Sequence, residues 1–547
     1  MQRRPVGKGM MTSSAFNSAM ERLEIAFGRL SERTIVALIL LAALALRVGR
    51  ALMTAVVNTD AAVYLYQAKA LYYGPWSAVN SCSIKHVTVH PILSAVAYFF
   101  VRDWIIAMRA VSILFGTLTL IPIYYLARLF FPFRTSCLVT LLYAVMHVFV
   151  STSVDVVRDP PYWFFAACGL YFFAAGMKKE RTGFFSLASI FFALAMWNRI
   201  EGVLYLVVTA LYLAIRKTDG KGKKLLAYLA PVLMGVGIVV IYQILSSRGI
   251  YMYRLDQLTE LLLSAGQTYA DLRIQLSFMI QRPPEGFTFQ FFESVRRLLW
   301  LLAFGVLAVS AAEAFFYPFA ALFLFGLFDF KRWRLSRLAG HFGTLIACGG
   351  AVLYSYALRY WFMENRYIVL IILPSFLFLG FGVERILSFL QRRLGLKEFS
   401  AVFLAALLIV LLAVPKQLVP HEKDKAVFKE IGTFIAREEG SETRIEILAL
   451  GVSMRWVSLY ANLNTSALVC SDQDMLDGLT RQELVGDSYA DFMKTVDARR
   501  VRYVVWEERH WPTREYDLLK AYDSQDFRIA GEWFHKDAGR IVLFKRL

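Results

Sequence analysis

Four short groups of ionisable residues stand at the ends of long apolar runs, and their types suit transfer of a group from a phosphate ester to a hydroxyl. Asp60 directly follows the run Thr34–Val57, Asp155 and Asp159 precede a run at 162–177, Arg199 and Glu201 separate two runs, and Glu364, Arg366 and Tyr367 open another. A carboxylate within reach of an acceptor hydroxyl serves as its general base. A guanidinium holds a phosphate through two parallel N–H donors. Arg199, Arg366 and Lys85 are thus the candidate phosphate ligands, with Tyr367 as a hydroxyl donor. The stretch 58–91 adds His86 and His90 among Tyr64, Tyr66, Tyr72, Tyr73 and Trp76. Such a mixture can hold a polar headgroup at a membrane surface, although Tyr and Trp also populate interfacial belts. On a helix, His86 and His90 would share a face and could ligate a divalent metal with Asp60 or Asp159. Thr88 and Val89 favour an extended segment, and His90 precedes Pro91, which disfavours helix at His90. Hydrogen bonding to phosphate or sugar is therefore the expected role of the two histidines, with a divalent metal as the alternative and no other cofactor indicated.

The elements that must position these groups are membrane helices. The 547 residues are 58% hydrophobic and 15% aromatic, with a mean hydropathy of +0.50, which places the chain in the membrane class. The net charge of +18 comes from short basic clusters between apolar runs. It forms no continuous patch and no nucleic-acid module, so no nucleic-acid partner is expected. Five cysteines, Cys82, Cys137, Cys168, Cys348 and Cys470, lack metal-ligand spacing. No cleavable signal peptide is visible, because the first apolar run is longer than a signal core and follows a polar, basic segment.

At ~20 residues per span, about eleven runs are long enough or nearly so: 34–56, 104–127, 135–151, 162–177, 184–198, 202–215, 225–246, 299–328, 339–360, 367–382 and 400–414. Basic clusters fall on alternate sides of successive runs, which predicts a cytoplasmic residue 1–33 segment and an external C-terminus. All four ionisable groups then emerge on the external face. Ionisable groups at membrane depth cost ~2.5–3.5 kcal/mol each on insertion scales, so they tend to face a cavity and mark substrate paths. The predicted organisation is a membrane domain over 34–414, with external loops at 58–103 and 247–298, followed by an α/β domain over 415–547. The loop at 247–298 mixes amphipathic helical spacing with a Pro-Pro-Glu-Gly break and reads as a lid, binding loop or surface cover. Beyond Pro415 the sequence predicts a helix over 425–439, a strand at RIEILAL, a helix near 454–462, a strand at RVRYVVW and a closing hairpin through IVLFKRL.

Several segments resemble, in order and spacing, the C-type polytopic membrane glycosyltransferases, in particular those of the aminoarabinose- and mannosyl-transferase-like superfamily that use polyprenyl-phosphate sugars. The first-loop acid Asp60 is followed by the Tyr-rich segment and His90-Pro91. MRAVSILFGTLTLIPIYYLARLFF resembles the second span, SVDVVRDPPYWFFAACGLYFF the second external loop, ALAMWNRIEGVLYLVV an R-x-E-G step, and ENRYIVLIILP an R-Y entry to a late span. The resemblance covers roughly 34–382. It implies Asp60 and Asp159 as the catalytic carboxylates, with Asp155 the weaker match. The donor site would gather Lys85, His86, His90, Arg199, Glu201, Arg366 and Tyr367. Many members carry Asp-Glu in the first loop, whereas Ala61 follows Asp60 here. The implied activity is inverting transfer of a sugar from a polyprenyl-phosphate donor to a lipid, glycan or protein acceptor at the external face of a bacterial inner membrane. A transporter or lipid flippase is the rival reading, disfavoured by the absence of internal repeats and of mid-span ionisable groups. A non-catalytic membrane scaffold is the third.

Overall fold

The computed structural model describes residues 24–25, 29–74, 86–216, 219–245, 253–329, 338–440, 443–449, 453–465, 485–512 and 516–547. Lys85 lies outside them. The described helices begin with α1 (Glu32–Leu52), whose Ser31 side chain caps the first turn by accepting from Thr34 N, and α2 (Ala61–Tyr73). Next come α3 (Val89–Val101), α4 (Trp104–Leu118), α5 (Leu120–Arg128), α6 (Phe133–Val145), α7 (His147–Val154) and α8 (Asp159–Lys179). They continue as α9 (Thr182–Asn198), α10 (Val203–Ile215), α11 (Lys221–Leu245), α12 (Tyr253–Gln281), α13 (Phe289–Phe315) and α14 (Tyr317–Leu327). The series closes with α15 (Ala339–Tyr360), α16 (Val369–Leu394) and α17 (Glu398–Gln417).

Among the described residues, seven helices are long and apolar enough to cross a membrane, or eight if α6 and α7, bent by 47° at their break, form one span. The chain is a multi-pass membrane protein. The difference from the eleven runs arises where apolar sequence is cut into short pieces. The run 299–328 is divided at Phe316, whose φ of 68° and the following Pro318 end α13 and start α14. The runs at 184–198 and 202–215 form two of the shorter apolar helices, as 182–198 and 200–215. Within the expected external loop at 247–298, the described residues from 253 onward are mostly helical, in keeping with its amphipathic spacing. Its apolar spacing and strong helix formers carry the 29-residue α12, and the break falls only at Pro283-Pro284 before α13 begins; prolines inside a helix would remove a bond and clash. His90 is likewise helical. α3 starts at Val89, and Pro91 sits in a first turn whose N–H groups have no helical acceptor in any case.

The membrane core packs Tyr143, Phe149, Trp163 and Phe173 against Ile372, Leu373 and Phe376 of α16. α14 and α16 meet backbone to backbone: a Cβ at Gly326 would collide with Phe378 O, and one at Gly382 with Leu322 O. Small residues permit such close crossings in a membrane. This contact sets the depth of α16, whose leading residues carry part of the site.

After α17 the chain forms α18 (Ala426–Glu439), β1 (Ile447–Ala449), α19 (Ser453–Ala461), α20 (Tyr489–Ala498), β2 (Tyr503–Glu507), α21 (Leu518–Ala521), β3 (Phe527–His535) and β4 (Gly539–Arg546). The sheet order is β1-β2-β4-β3. β1 and β2 are parallel, with Leu448 opposite Val504, and β4 runs antiparallel to both neighbours, with Phe544 opposite Val504 and Ile541 opposite Trp533. One face of this sheet does not close on itself. Val56, Val57, Ala61, Tyr64 and Leu65 share a single apolar cluster with Phe428, Trp456, Val457, Tyr460 and Leu543.

Candidate active site

Three groups of residues meet at the helix ends: Asp60 from the α1–α2 turn, then Asp159, Arg199 and Glu201 from the α7–α8 and α9–α10 junctions, and Glu364, Arg366 and Tyr367 from the α15–α16 junction. In the first, Asn58 Oδ1 accepts from Asp60 N at 3.0 Å, closing a tight turn ahead of α2. Asp60 occupies the N-cap position in helical φ/ψ and makes no side-chain cap bond. Its carboxylate instead accepts from Arg366 Nη2 at 2.8 Å. In the second, α9 ends at Asn198, and Ile200–Gly202 form a 3-10 turn folded back on it. Gly202 is needed there, because a Cβ would stand 2.5 Å from Met196 N. The turn points Arg199 at two acids: Nη1 reaches Asp159 Oδ1 and Nη2 reaches Glu201 Oε1, both at 2.7 Å. In the third, Glu364 pairs with Arg366 Nε.

Tyr367 joins the two arginines. The guanidinium of Arg199 lies 4.9 Å from its ring centroid and that of Arg366 5.4 Å, both within cation–π range. Around this trio is a cleft whose lining combines the polar Arg199, Arg366, Glu201 and Tyr367 with the apolar Val352, Leu353 and Leu370.

Burial would raise the Asp60 pKa, but the charge and hydrogen bond of Arg366, with help from Arg158 and Arg455, hold it below the usual carboxylate range. Burial would likewise raise Glu201, and Arg199 brings it down to about 2. Asp155 behaves oppositely. Burial outweighs Arg366 and, with Glu422 nearby, pushes its carboxyl up to about 7. Arg366 would be lowered by burial, yet Asp159, Asp60 and Glu364 together raise it well above its ordinary value.

The residues expected at the site are therefore gathered unevenly. Asp60, Asp159, Arg199, Glu201, Arg366 and Tyr367 come together. His86 lies at the edge, its Nε2 3.1 Å from Arg158 Nη1. His90 is fully buried in α3, its Nε2 3.0 Å from Ser112 Oγ and its ring edge-on to Tyr64. Three contributors were not among the expected site residues. Arg158, one residue before Asp159, acts electrostatically on both Asp60 and Glu201. Glu364 stood in the sequence beside Arg366 and Tyr367 as part of one ionisable group but was assigned no role. Tyr162, whose buried hydroxyl has no hydrogen-bond partner, lines the cleft.

The two histidines do not gather with Asp60 or Asp159 into a metal-ligand group among the described residues. The group with suitable spacing among the described residues is Asp424, in the 3-10 turn Lys423–Lys425, with His535 and Asp537 at the β3–β4 turn. There His535 Nδ1 accepts backbone N–H bonds from Asp537 and Ala538, at 3.3 and 3.2 Å, so neutral His535 carries its proton on Nε2. Lys536 Nζ already stands 3.7 Å from Asp424. That chemistry suits a closed turn and not a cation.

A family model for dolichyl-phosphate-mannose-protein mannosyltransferases matches residues 85–243, a span that holds Asp159, Arg199 and Glu201. No curated protein matches the chain. Among solved structures, ArnT from Cupriavidus metallidurans in the apo state is similar at 13% identity and a TM-score of 0.55, covering 93% of this chain and 97% of that one. The same protein bound to undecaprenyl phosphate aligns at 12% identity and a TM-score of 0.50, with the same coverage. The oligosaccharyltransferase AglB from Archaeoglobus fulgidus, in complex with an inhibitory peptide and a dolichol-phosphate, aligns at 12% identity and a TM-score of 0.52, covering 94% of this chain and 74% of that one.

Proposed function

For a chain with the PMT/ArnT-like C-type membrane glycosyltransferase fold, we propose inverting transfer of a sugar from a polyprenyl-phosphate donor to a hydroxyl of a lipid, glycan or protein at the external face of a bacterial inner membrane. The observation that carries this reading is the cleft itself. Two arginines flank one tyrosine in its lining, apolar side chains line it beside them, and a partly exposed carboxylate rests on one arginine. A polyprenyl phosphate calls for the same two kinds of contact, the phosphate for Arg199 and Arg366 and the chain for Val352, Leu353 and Leu370. The ArnT and AglB structures, whose bound molecules include undecaprenyl phosphate and dolichol-phosphate respectively, support the donor class.

In this mechanism the acceptor oxygen attacks the anomeric carbon while Asp60 takes its proton. The bond from that carbon to the phosphate oxygen breaks, and its electron pair leaves on the phosphate. The phosphate gains a negative charge as it departs, so the arginines stabilise the transition state more than the bound donor. Both arginines are already paired with carboxylates, so an incoming phosphate competes with those acids for the guanidinium charge. Asp60 is the more exposed of the pairs' central acids and is the one that yields. It then loses the charge that keeps its pKa low, and becomes a better base once the donor is seated.

The test is release of polyprenyl phosphate from a panel of polyprenyl-phosphate sugars by the purified chain in liposomes, with Asp60→Asn alongside. Hydrolysis or transfer that depends on Asp60 supports the reading. Donor movement between leaflets without loss of sugar would replace it with a flippase.

A further inference from the structure

The segment after α17 is wired to the catalytic turn more tightly than a cover would be. Val57, three residues before Asp60, is held by α19 through both of its backbone groups. Its N–H donates to Tyr460 Oη at 3.2 Å, and its carbonyl accepts from Trp456 Nε1 at 2.8 Å. All three residues are buried, and the Trp456 ring stacks on Phe428 at an interplanar angle of 9°. On the far side of Asp60, Lys69 of α2 is also buried, and its Nζ donates to Asn462 O and Thr465 O, both at 2.9 Å. These carbonyls belong to the exit of α19, where helical C=O groups lack internal partners and favour a cation. Asn462 is itself fixed, exchanging side-chain bonds with the backbone N–H and C=O of Ile445 at 2.8 and 3.0 Å. Upstream, Ala55 N donates to His421 O and His421 N to Met53 O. One element thus grips the Asp60 turn from before and after.

Arg366 is placed by different elements, the α15–α16 junction and the crossing of α14 with α16. The distance from the Asp60 carboxylate to the phosphate ligand therefore depends on two assemblies held independently. We infer that α19 is a positioning element of the active site, with Trp456 and Tyr460 holding Val57 so that Asp60 meets both Arg366 and the acceptor. The inference rests on Asp60 being the base. Misplacement of a catalytic group by about 1 Å can cost ~10²-fold in rate, so loss of the two bonds to Val57 acts on turnover first. Donor affinity, carried by Arg199, Arg366 and the apolar slot, is left in place.

The experiment uses the full chain in lipid nanodiscs with Trp456→Phe, Tyr460→Phe, the double variant and Asp60→Asn. Each Phe variant removes one polar group and keeps a ring. The expected result for the double variant is a kcat lower by about tenfold or more with an unchanged donor KM. The acid limb of its kcat/KM–pH profile, which reports the free enzyme, should also move to higher pH, because there Asp60 no longer meets Arg366 squarely. Folded Phe variants with wild-type kcat and pH profile, beside an inactive Asp60→Asn, would overturn the inference and leave the transferase reading standing. So would a fall in kcat matched by equal changes in donor KM and melting temperature, which a merely structural role predicts. An active Asp60→Asn would instead defeat the reading on which the inference rests. If the Trp456 variant does not survive purification, Tyr460→Phe alone, which deletes a single oxygen, carries the same outcomes.

Discussion

Arg199 and Arg366 are built from the same parts and differ in how far their acids are closed off. Each arginine holds two carboxylates, and each lies against the ring of Tyr367. The Asp159 side chain is 1% exposed beside Arg199, whereas the Asp60 side chain is 36% exposed beside Arg366. A sealed ion pair has little freedom to change partners, because parting it leaves an unpaired charge in a low-dielectric interior. A half-open pair can part at the cost of a modest exchange with water or ligand. One motif thus occurs in a sealed and in a half-open form, and the difference lies in burial and not in residue type.

The largest effect that sharpens this contrast is on rate. Asp60→Asn should reduce transfer by ~10²–10⁴-fold while the melting temperature hardly moves, since Asp60 makes no cap bond and Glu364 stays on Arg366. Calorimetry or thermofluorescence beside a donor-consumption assay measures both. Near-normal transfer by Asp60→Asn, with transfer lost in a fully stable Asp159→Asn, would invert the two roles.

Asp159→Asn should chiefly cost stability, on the order of 3 kcal/mol for breaking a buried pair, read as a melting temperature several degrees lower. An unchanged melting temperature would mean that the Arg199 cluster is no brace. Arg366→Ala comes next, raising donor KM roughly ten- to a hundred-fold through loss of a charge-assisted bond. An unchanged KM in a folded variant removes Arg366 from phosphate binding.

A pH-dependent contrast concerns Asp155, whose folded-state carboxyl is raised from its ordinary value near 3.8 to about 7. A raised pKa contributes stability that is complete below about pH 4 and is lost as pH rises to about 7. Asp155→Asn should therefore gain melting temperature relative to wild type across that window and hold a constant difference above it. A difference independent of pH would show that Asp155 is ionised throughout.

The acids and bases of the site were legible because each stands beside an apolar run, and helix parity brings such positions to one face. R-x-E-G was readable as a step, and its glycine proves necessary for the backbone to turn against Met196. Pairing was not legible. Asp60 and Arg366 are 306 positions apart, and no local pattern links them. Nor did the residue types of His86 and His90 reveal that one faces Arg158 and the other is enclosed against Ser112. The helix α12 was hidden for another reason: its amphipathic pattern was plain, but its polarity resembled that of an external loop.

The sequence by itself determined that this chain crosses a membrane several times and gathers ionisable groups at the helix ends. Apolar run length and charge exclusion are local properties that the bilayer reads directly. It also showed α18, β1, α19, β2 and the closing hairpin after Pro415, since periodicity and β-branched runs act within a few residues, but not α20 or α21. The tertiary structure alone decided which acid is sealed and which is open, and that α19 holds the turn bearing Asp60. Those outcomes depend on burial, and burial is set by contacts between segments up to four hundred residues apart, as in the bond from Val57 N to Tyr460.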